Sequence, residues 1–101
     1  METEHCLAFR DIQPMRPEHV LVIPKGPYLN YDHFALTASD EEIVDLTRTI
    51  GKVCEAIGVS PNAGDGYRLI SNAGKHGIQE VPHLHIHILG GASAGRMVER
   101  S

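Results

Sequence analysis

One stretch near the end of the chain carries most of the information in this sequence: Gln79-Glu80-Val81-Pro82-His83-Leu84-His85-Ile86-His87-Ile88-Leu89. From His83 onward polar and apolar residues alternate, and Gly90-Gly91 follow the last apolar pair. Alternation with a period of two is typical of a β-strand that buries one face. We therefore expect a strand over 83–89 that has its three histidines on one face and its apolar residues in the core.

Three imidazoles in a row suggest chemistry, because an ordinary solvated strand face uses threonine, lysine or glutamate. Successive rings on a strand stand about 7 Å apart, which is twice the rise per residue. Near neutral pH an imidazole can carry a proton, ligate a metal or act as a nucleophile. The row therefore has three interpretations: a solvated surface, a metal site, or a catalytic site in which one ring attacks and its neighbours orient it.

The metal interpretation lacks ligands in the sequence. Histidines at positions i and i+2 can share an ion, but a closed site needs a third or fourth ligand. Apolar residues and glycines follow the histidines, and the next carboxylate is Glu99. We expect no metal and no other cofactor. In the catalytic interpretation, a histidine that attacks phosphorus forms a phosphohistidine that water then resolves.

The rest of the chain predicts three more strands, over 7–9, 19–23 and 67–72, and one long helix. The run at 19–23 is apolar and β-branched, which indicates a strand buried on both faces. Ser39 and Glu42 form a capping box before an apolar stripe, and Gly58 is placed to end the helix. A short helical turn is expected over 31–34. The stripe consists of Ile43, Leu46, Ile50, Val53 and Ile57.

These elements predict an α+β fold, with an antiparallel sheet of about four to five strands and one long helix. We expect a single domain over 1–91 and a C-terminal tail over 92–101 that frays. The loop over 72–77 joins the last two strands. Its glycines allow backbone N–H groups to turn towards the histidines, where they would suit a phosphate.

Composition argues against several classes of function. The 101 residues carry a formal net charge of −4 with histidine neutral, whereas a nucleic-acid binder needs a basic face. The apolar runs are too short for a membrane span, and we expect no secretory signal. The two cysteines, Cys6 and Cys54, are too few for a disulfide scaffold, so we expect core packing and a cytoplasmic protein.

The segment around the histidines resembles the signature of the histidine triad family, His-x-His-x-His followed by apolar residues. The likeness extends to 6–12, 17–25 and 66–72, and Gly90-Gly91 is similar to the Hint-like nucleotide-binding branch. It implies a purine nucleotide phosphoramidase or nucleotidyl hydrolase that acts on the α-phosphate through a covalent nucleotidyl-histidine intermediate. The alternative that it leaves open is a purine-nucleotide-binding module with little or no turnover.

The resemblance also implies roles for individual residues. His85 would attack the α-phosphorus, and His87 would hydrogen-bond the phosphate. His83 and His19 would orient the site. Asp11 would bind the ribose hydroxyls, and Asn72 would position the phosphate or leaving group. The other predicted nucleotide-binding residues would enclose the purine (Phe9, Ile12, Leu21) or lie near the phosphate (Ile78, Gln79, Glu80).

The sequence departs from the family pattern in a few places. Members of this branch usually carry a short helix and a strand before the first strand found here, so we expect an exposed sheet edge or apolar face. Ile78 stands where many relatives have a glycine, and Glu80 resembles the bacterial-type relatives. Relatives form two-fold dimers through the long helix and a sheet edge. We therefore expect a homodimer that binds a purine nucleotide or nucleoside phosphoramidate.

Overall fold

A computed structural model describes residues 1–98 of the chain, and residues 99–101 of the predicted tail lie outside the described part. The strands form one antiparallel sheet in the order β1-β2-β4-β3, which confirms the predicted α+β class. Within residues 1–98 no helix has the length and apolar character that crossing a membrane requires. The elements are β1 (Cys6–Arg10), β2 (Glu18–Pro24), α1 (Tyr31–Thr37), α2 (Asp40–Ala56), β3 (Tyr67–Ser71) and β4 (Ile86–Gly90).

The long helix α2 begins and ends as its sequence predicts. The Glu42 backbone N–H donates to the Ser39 hydroxyl at 3.1 Å, and the Ser39 N–H donates to a Glu42 carboxylate oxygen at 3.1 Å. Gly58, just after the helix, has a φ of 74°, a left-handed conformation that glycine adopts at little cost. The predicted stripe faces the sheet, with Leu46 and Val53 buried and Ile43, Ile50 and Ile57 packed against the core.

Helix α1 is longer than the turn predicted over 31–34. The Asn30 side chain caps it by accepting a hydrogen bond from the His33 N–H at 2.9 Å, and Phe34 buries its ring in the core. The added residues 35–37 are exposed. Because these residues bury no side chain in the core, the apolar pattern of the sequence did not predict that the helix includes them.

The core lies between α2 and one face of the sheet. Neighbouring strands pair Val20 with Ile88 and Val22 with Ile86, and all four side chains are buried on this face. Cys6 and Cys54 are buried and free, as predicted. The prediction that the strand over 19–23 is buried on both faces is wrong, because Leu21 and Ile23 on the other face are only half-buried.

Strand β4 begins at Ile86, so the prediction of a strand over 83–89 is wrong at its start. The register that pairs Val22 with Ile86 would bring residue 84 opposite Pro24. Proline has no N–H to donate, so the ladder cannot continue there. The Leu84 N–H donates instead to the Tyr28 carbonyl at 2.8 Å. His83 and His85 therefore lie on the segment before β4, although burial still alternates from His83 to His87.

Residues 1–3 cover the outer edge of β1. Met1 and Ala8 exchange two N–H···O bonds of 2.9 and 2.8 Å. Asp45 of α2 accepts hydrogen bonds from the Thr3 hydroxyl at 2.6 Å and from the His5 N–H at 2.9 Å. The expected exposed edge is therefore not at β1 but at β3, the opposite edge of the sheet, where Leu69 is 45% exposed.

The capping box predicts a measurable loss of stability on removal of its hydroxyl. Ser39→Ala leaves the Glu42 N–H without its side-chain acceptor, and we expect the free energy of unfolding in urea to fall by about 1 kcal/mol. Ser39→Thr keeps the hydroxyl and serves as the control. An unchanged unfolding free energy in Ser39→Ala would contradict this role for the cap.

Candidate active site

A cleft of about 520 Å³ lies over the half-buried face of the sheet. Strands β1 and β2 form one side of it, and the loop after β3 with the segment before β4 forms the other. Two residues that the sequence did not single out, Ile23 and Val81, also line it. Both are apolar residues without a chemical signature, so no motif pointed to them. The predicted site residues in the lining are Phe9, Asp11, Leu21, Asn72, Ile78, Gln79, Glu80, His83, His85 and His87.

Two predicted site residues lie outside that lining. His19 is only 4% exposed and lies behind His87, where it can act on the cleft through that ring. Ile12 is 95% exposed on the loop that follows β1. Phe9 and Leu21, which pair across β1 and β2, line the cleft, whereas contact between Ile12 and a purine stays a prediction.

Backbone carbonyls orient the rings of His83 and His85. His85 Nδ1 lies 2.8 Å from the His83 carbonyl oxygen. A carbonyl oxygen only accepts, so Nδ1 carries the proton and Nε2 of the neutral ring keeps a free lone pair. That lone pair is what a nucleophile needs. His83 Nε2 in turn donates to the Pro24 carbonyl at 2.9 Å, which fastens the segment to the end of β2.

A hydrogen bond of 2.9 Å joins His19 Nε2 on β2 to His87 Nδ1 on β4. The Met15 backbone N–H donates to His19 Nδ1 at 3.0 Å, so this nitrogen is an acceptor. A neutral His19 therefore carries its proton on Nε2 and donates it to His87 Nδ1. The proton of a neutral His87 is then on Nε2, which gives the ring one N–H donor for a ligand.

The surroundings of His87 favour its neutral form. Burial lowers the pKa of His87 below its ordinary value of 6.5, and the nearby rings of His85 and His19 lower this pKa further, whereas Asp11 opposes them. The centroids of the His85 and His87 rings are 5.0 Å apart. The lowered pKa of His87 thus favours an uncharged N–H donor beside the His85 ring.

Asp11 is fixed at the edge of the histidine group. One carboxylate oxygen accepts from the Gln13 N–H at 2.8 Å, and the other lies 3.6 Å from His19 Nε2. Asp11, His19 and His87 offer ligand atoms within 4.8 Å of one another, so they are the described residues that could hold a metal ion. The hydrogen bond between His19 and His87 already uses one nitrogen of each ring.

The loop between β3 and β4 is held in place by Gln79. Its side-chain amide donates to the Leu29 carbonyl at 2.7 Å and to the Val81 carbonyl at 3.0 Å, so these donors hold the loop. Ile78 has a φ of 53°, a left-handed conformation that is costly for a β-branched residue. The position where many relatives have glycine therefore has the backbone conformation that favours glycine.

Comparison with known proteins gives consistent results. The family model described as HIT domain matches residues 1–94. The chain is 48% identical over 100 residues to an uncharacterised 13.2 kDa HIT-like protein of Azospirillum brasilense, covering 99% of this chain and 80% of that protein. It is 43% identical over 94 residues to the purine nucleoside phosphoramidase of Escherichia coli, covering 90% and 73%. A HIT family hydrolase from Clostridium thermocellum has a TM-score of 0.82 at 37% identity, covering 98% and 83%.

The lowered pKa of His87 predicts a pH-dependent stability. In the unfolded chain His87 takes up a proton near pH 6.5, whereas in the folded chain it does so only at lower pH. The stability that this difference contributes to the folded state is therefore complete above about pH 6.5 and is lost as the pH falls. Urea unfolding from about pH 8 to about pH 5 measures it. We expect the free energy of unfolding to fall less steeply with decreasing pH in His87→Gln than in the parent protein. His76→Gln, which changes an exposed loop histidine, is the control. Equal slopes in all three proteins would contradict the prediction.

Proposed function

The chain belongs to the HIT domain family, and we propose that it is a hydrolase of purine nucleotides that cleaves a bond at the α-phosphorus, with nucleoside phosphoramidates as its substrate class. The observation that carries the proposal is the orientation of His85. Its Nδ1 is held by the His83 carbonyl and its ring lines the cleft, so a neutral His85 has its lone pair on Nε2. The similarity to proteins named as a HIT family hydrolase and a purine nucleoside phosphoramidase supports the substrate class.

The reaction that we propose has two displacements at phosphorus. In the first, His85 Nε2 forms a bond to the α-phosphorus, and the bond from phosphorus to the amine nitrogen breaks as the amine takes up a proton. In the second, water attacks the same phosphorus, gives up a proton, and the phosphorus–histidine bond breaks to release the nucleoside monophosphate. Splitting one displacement into two lowers each barrier. The N–H on His87 Nε2 would stabilise charge on the phosphoryl oxygens.

The cleft has a polarity that suits a nucleotide. Phe9 and Leu21 offer apolar surface for a purine, and the Asp11 carboxylate can accept from the two hydroxyls of a ribose. Asn72 follows Ser71, which pairs with Ile86, so it lies beside His85, where it would contact the phosphate. Glu80, also in the lining, adds negative charge where the leaving group would depart, which favours an amine that leaves with a proton.

Turnover of an adenosine phosphoramidate, followed as AMP release, tests the proposal. We expect hydrolysis by the parent protein and a loss of at least roughly 10²-fold in kcat/KM for His85→Ala, since no other ring replaces the nucleophile. His76→Ala, which removes an exposed loop histidine, is the matched control. Full turnover in His85→Ala would show the mechanism to be wrong. Calorimetric AMP binding by a parent protein that hydrolyses nothing would favour the binding-module alternative.

The free edge at β3 supports the homodimer that the resemblance implies. An apolar groove of about 420 Å³ lies between the two helices and this edge, and within residues 1–98 no strand pairs with the outer side of β3. We propose that a second copy of the chain covers both, because identical edges can pair antiparallel about a two-fold axis. The groove is lined by residues that include Tyr31, Phe34, Ile43, Ile50 and Leu69.

Light scattering tests this assembly. The parent protein should have a mass twice that of the 11.1 kDa chain, and Leu69→Glu, which places a charge in the groove, should shift it towards one chain. Leu36→Glu is the matched control, because Leu36 is 83% exposed on α1 and does not line the groove. A monomeric parent protein would overturn the proposal.

A further inference from the structure

Arg16 connects the C-terminal tail to the loop that supports the buried histidine. It lies on the loop between β1 and β2, and its guanidinium donates to three carbonyl oxygens. Nε binds Ser93 at 2.7 Å, Nη2 binds Ala94 at 3.1 Å, and Nη1 binds Met15 at 2.6 Å. Met15 is the residue whose N–H donates to His19 Nδ1. A single side chain therefore holds both the tail and Met15, the residue whose N–H reaches the histidine pair.

Residues 93–96 of the tail do not fray as the sequence predicts, because Arg68 also holds them, so they can act as a support. Arg68 on β3 donates to the carbonyls of Gly95 and Arg96, each at 2.9 Å. Gly91 has a φ of 82°, and a Cβ there would lie 3.0 Å from Pro17, so glycine allows the chain to turn closely over the loop. The carbonyls of Ser93 and Ala94 are thus presented to Arg16 by a segment anchored at both ends.

The loop itself has few apolar contacts to keep its shape. Ile12 is 95% exposed and Met15 is 68% exposed, so burial of their side chains contributes little to fixing the Met15 N–H. Met15 is instead held on both sides of its Cα, because its carbonyl accepts from Arg16 and its N–H donates to His19 Nδ1. A guanidinium fork suits such a task, because its donors have fixed relative directions.

We propose that Arg16 is a positioning residue for the catalytic histidines, which it serves by holding the Met15 N–H on His19 Nδ1; this role rests on the proposed function. While that N–H is in place, His19 keeps its proton on Nε2 and donates it to His87 Nδ1. When the loop is released, a neutral His19 can move its proton to Nδ1. His87 then loses its donor, can take its own proton on Nδ1, and no longer offers an N–H from Nε2 to the phosphoryl oxygens.

Two measurements on the full chain test this role. In Arg16→Ala we expect kcat for an adenosine phosphoramidate to fall on the order of tenfold while KM stays within about twofold, because the donor acts on the transition state more than on binding. Two-bond ¹H–¹⁵N spectra of the histidine rings should show His19 with an unprotonated Nδ1 in the parent protein. In Arg16→Ala they should show a mixture of the two tautomers.

Two further variants separate geometry from charge and from folding. Arg16→Lys keeps the charge without the fork, so it should resemble Arg16→Ala. Arg10→Ala removes an arginine that pairs with Glu18 on the core-facing side of the sheet, so it should match the parent in both measurements. Melting curves identify any variant that fails to fold. If one Arg16 variant does so, the other Arg16 variant is compared with the parent protein instead.

The two readouts also separate this proposal from the proposed function. If the parent protein hydrolyses nothing, the proposed function fails, while the ring spectra still report whether Arg16 controls the His19 tautomer. An unchanged His19 spectrum in a folded Arg16→Ala would overturn the positioning role. A raised KM with an unchanged kcat would also overturn it, because Arg16 would then act on substrate binding.

Discussion

The hydrogen bond from His85 Nδ1 to the His83 carbonyl is the contact on which the site depends. It exists because the chain is not a regular strand at this point. In a strand ladder the His83 carbonyl would face a neighbouring strand, and the rings would stand in a row without touching the backbone. The ladder between β3 and β4 ends at the pair of Ser71 and Ile86, so the His83 carbonyl lies beyond it and accepts from the ring instead. The break in the strand therefore produces the free lone pair in the cleft.

The second constraint is the antiparallel pairing of β2 with β4. It divides the sheet into a core face, where Val22 packs with Ile86, and a cleft face, where Leu21 lies opposite His87. The same pairing brings His19 within 2.9 Å of His87, although the two are far apart in sequence. Because the buried face is rigidly packed against α2, the rings on the opposite face keep their spacing without support from a ligand.

Much of this arrangement could be predicted from local signals. The capping box, the apolar stripe of α2 and the glycine after it are short-range patterns, and the structure has each of them. The alternation around His85 correctly predicted which side chains are buried. The start of β4 could not be predicted in the same way, because it depends on Pro24, which lies far away in the sequence and is brought opposite only by the register of the sheet.

The same limit applies within the site. Pattern and resemblance pointed to ten of the residues that line the cleft, but not to Ile23 or Val81, whose apolar side chains have no motif. Nor did any pattern indicate that the Gln79 amide holds the loop to Leu29, or that Arg16 reaches the tail. These contacts join segments distant in sequence through backbone carbonyls, and every residue has a carbonyl, so no residue type marks them in advance.

If His85 Nε2 is the atom that bonds to phosphorus, the nucleotidyl group can be trapped on that ring. The protein is mixed with an adenosine phosphoramidate, quenched within a turnover and digested, and the peptides are weighed by mass spectrometry. We expect one adenylyl group on the peptide that contains His83, His85 and His87, with fragmentation placing it on His85. An adduct on a different residue, or substrate that is consumed without any adduct forming, would contradict it.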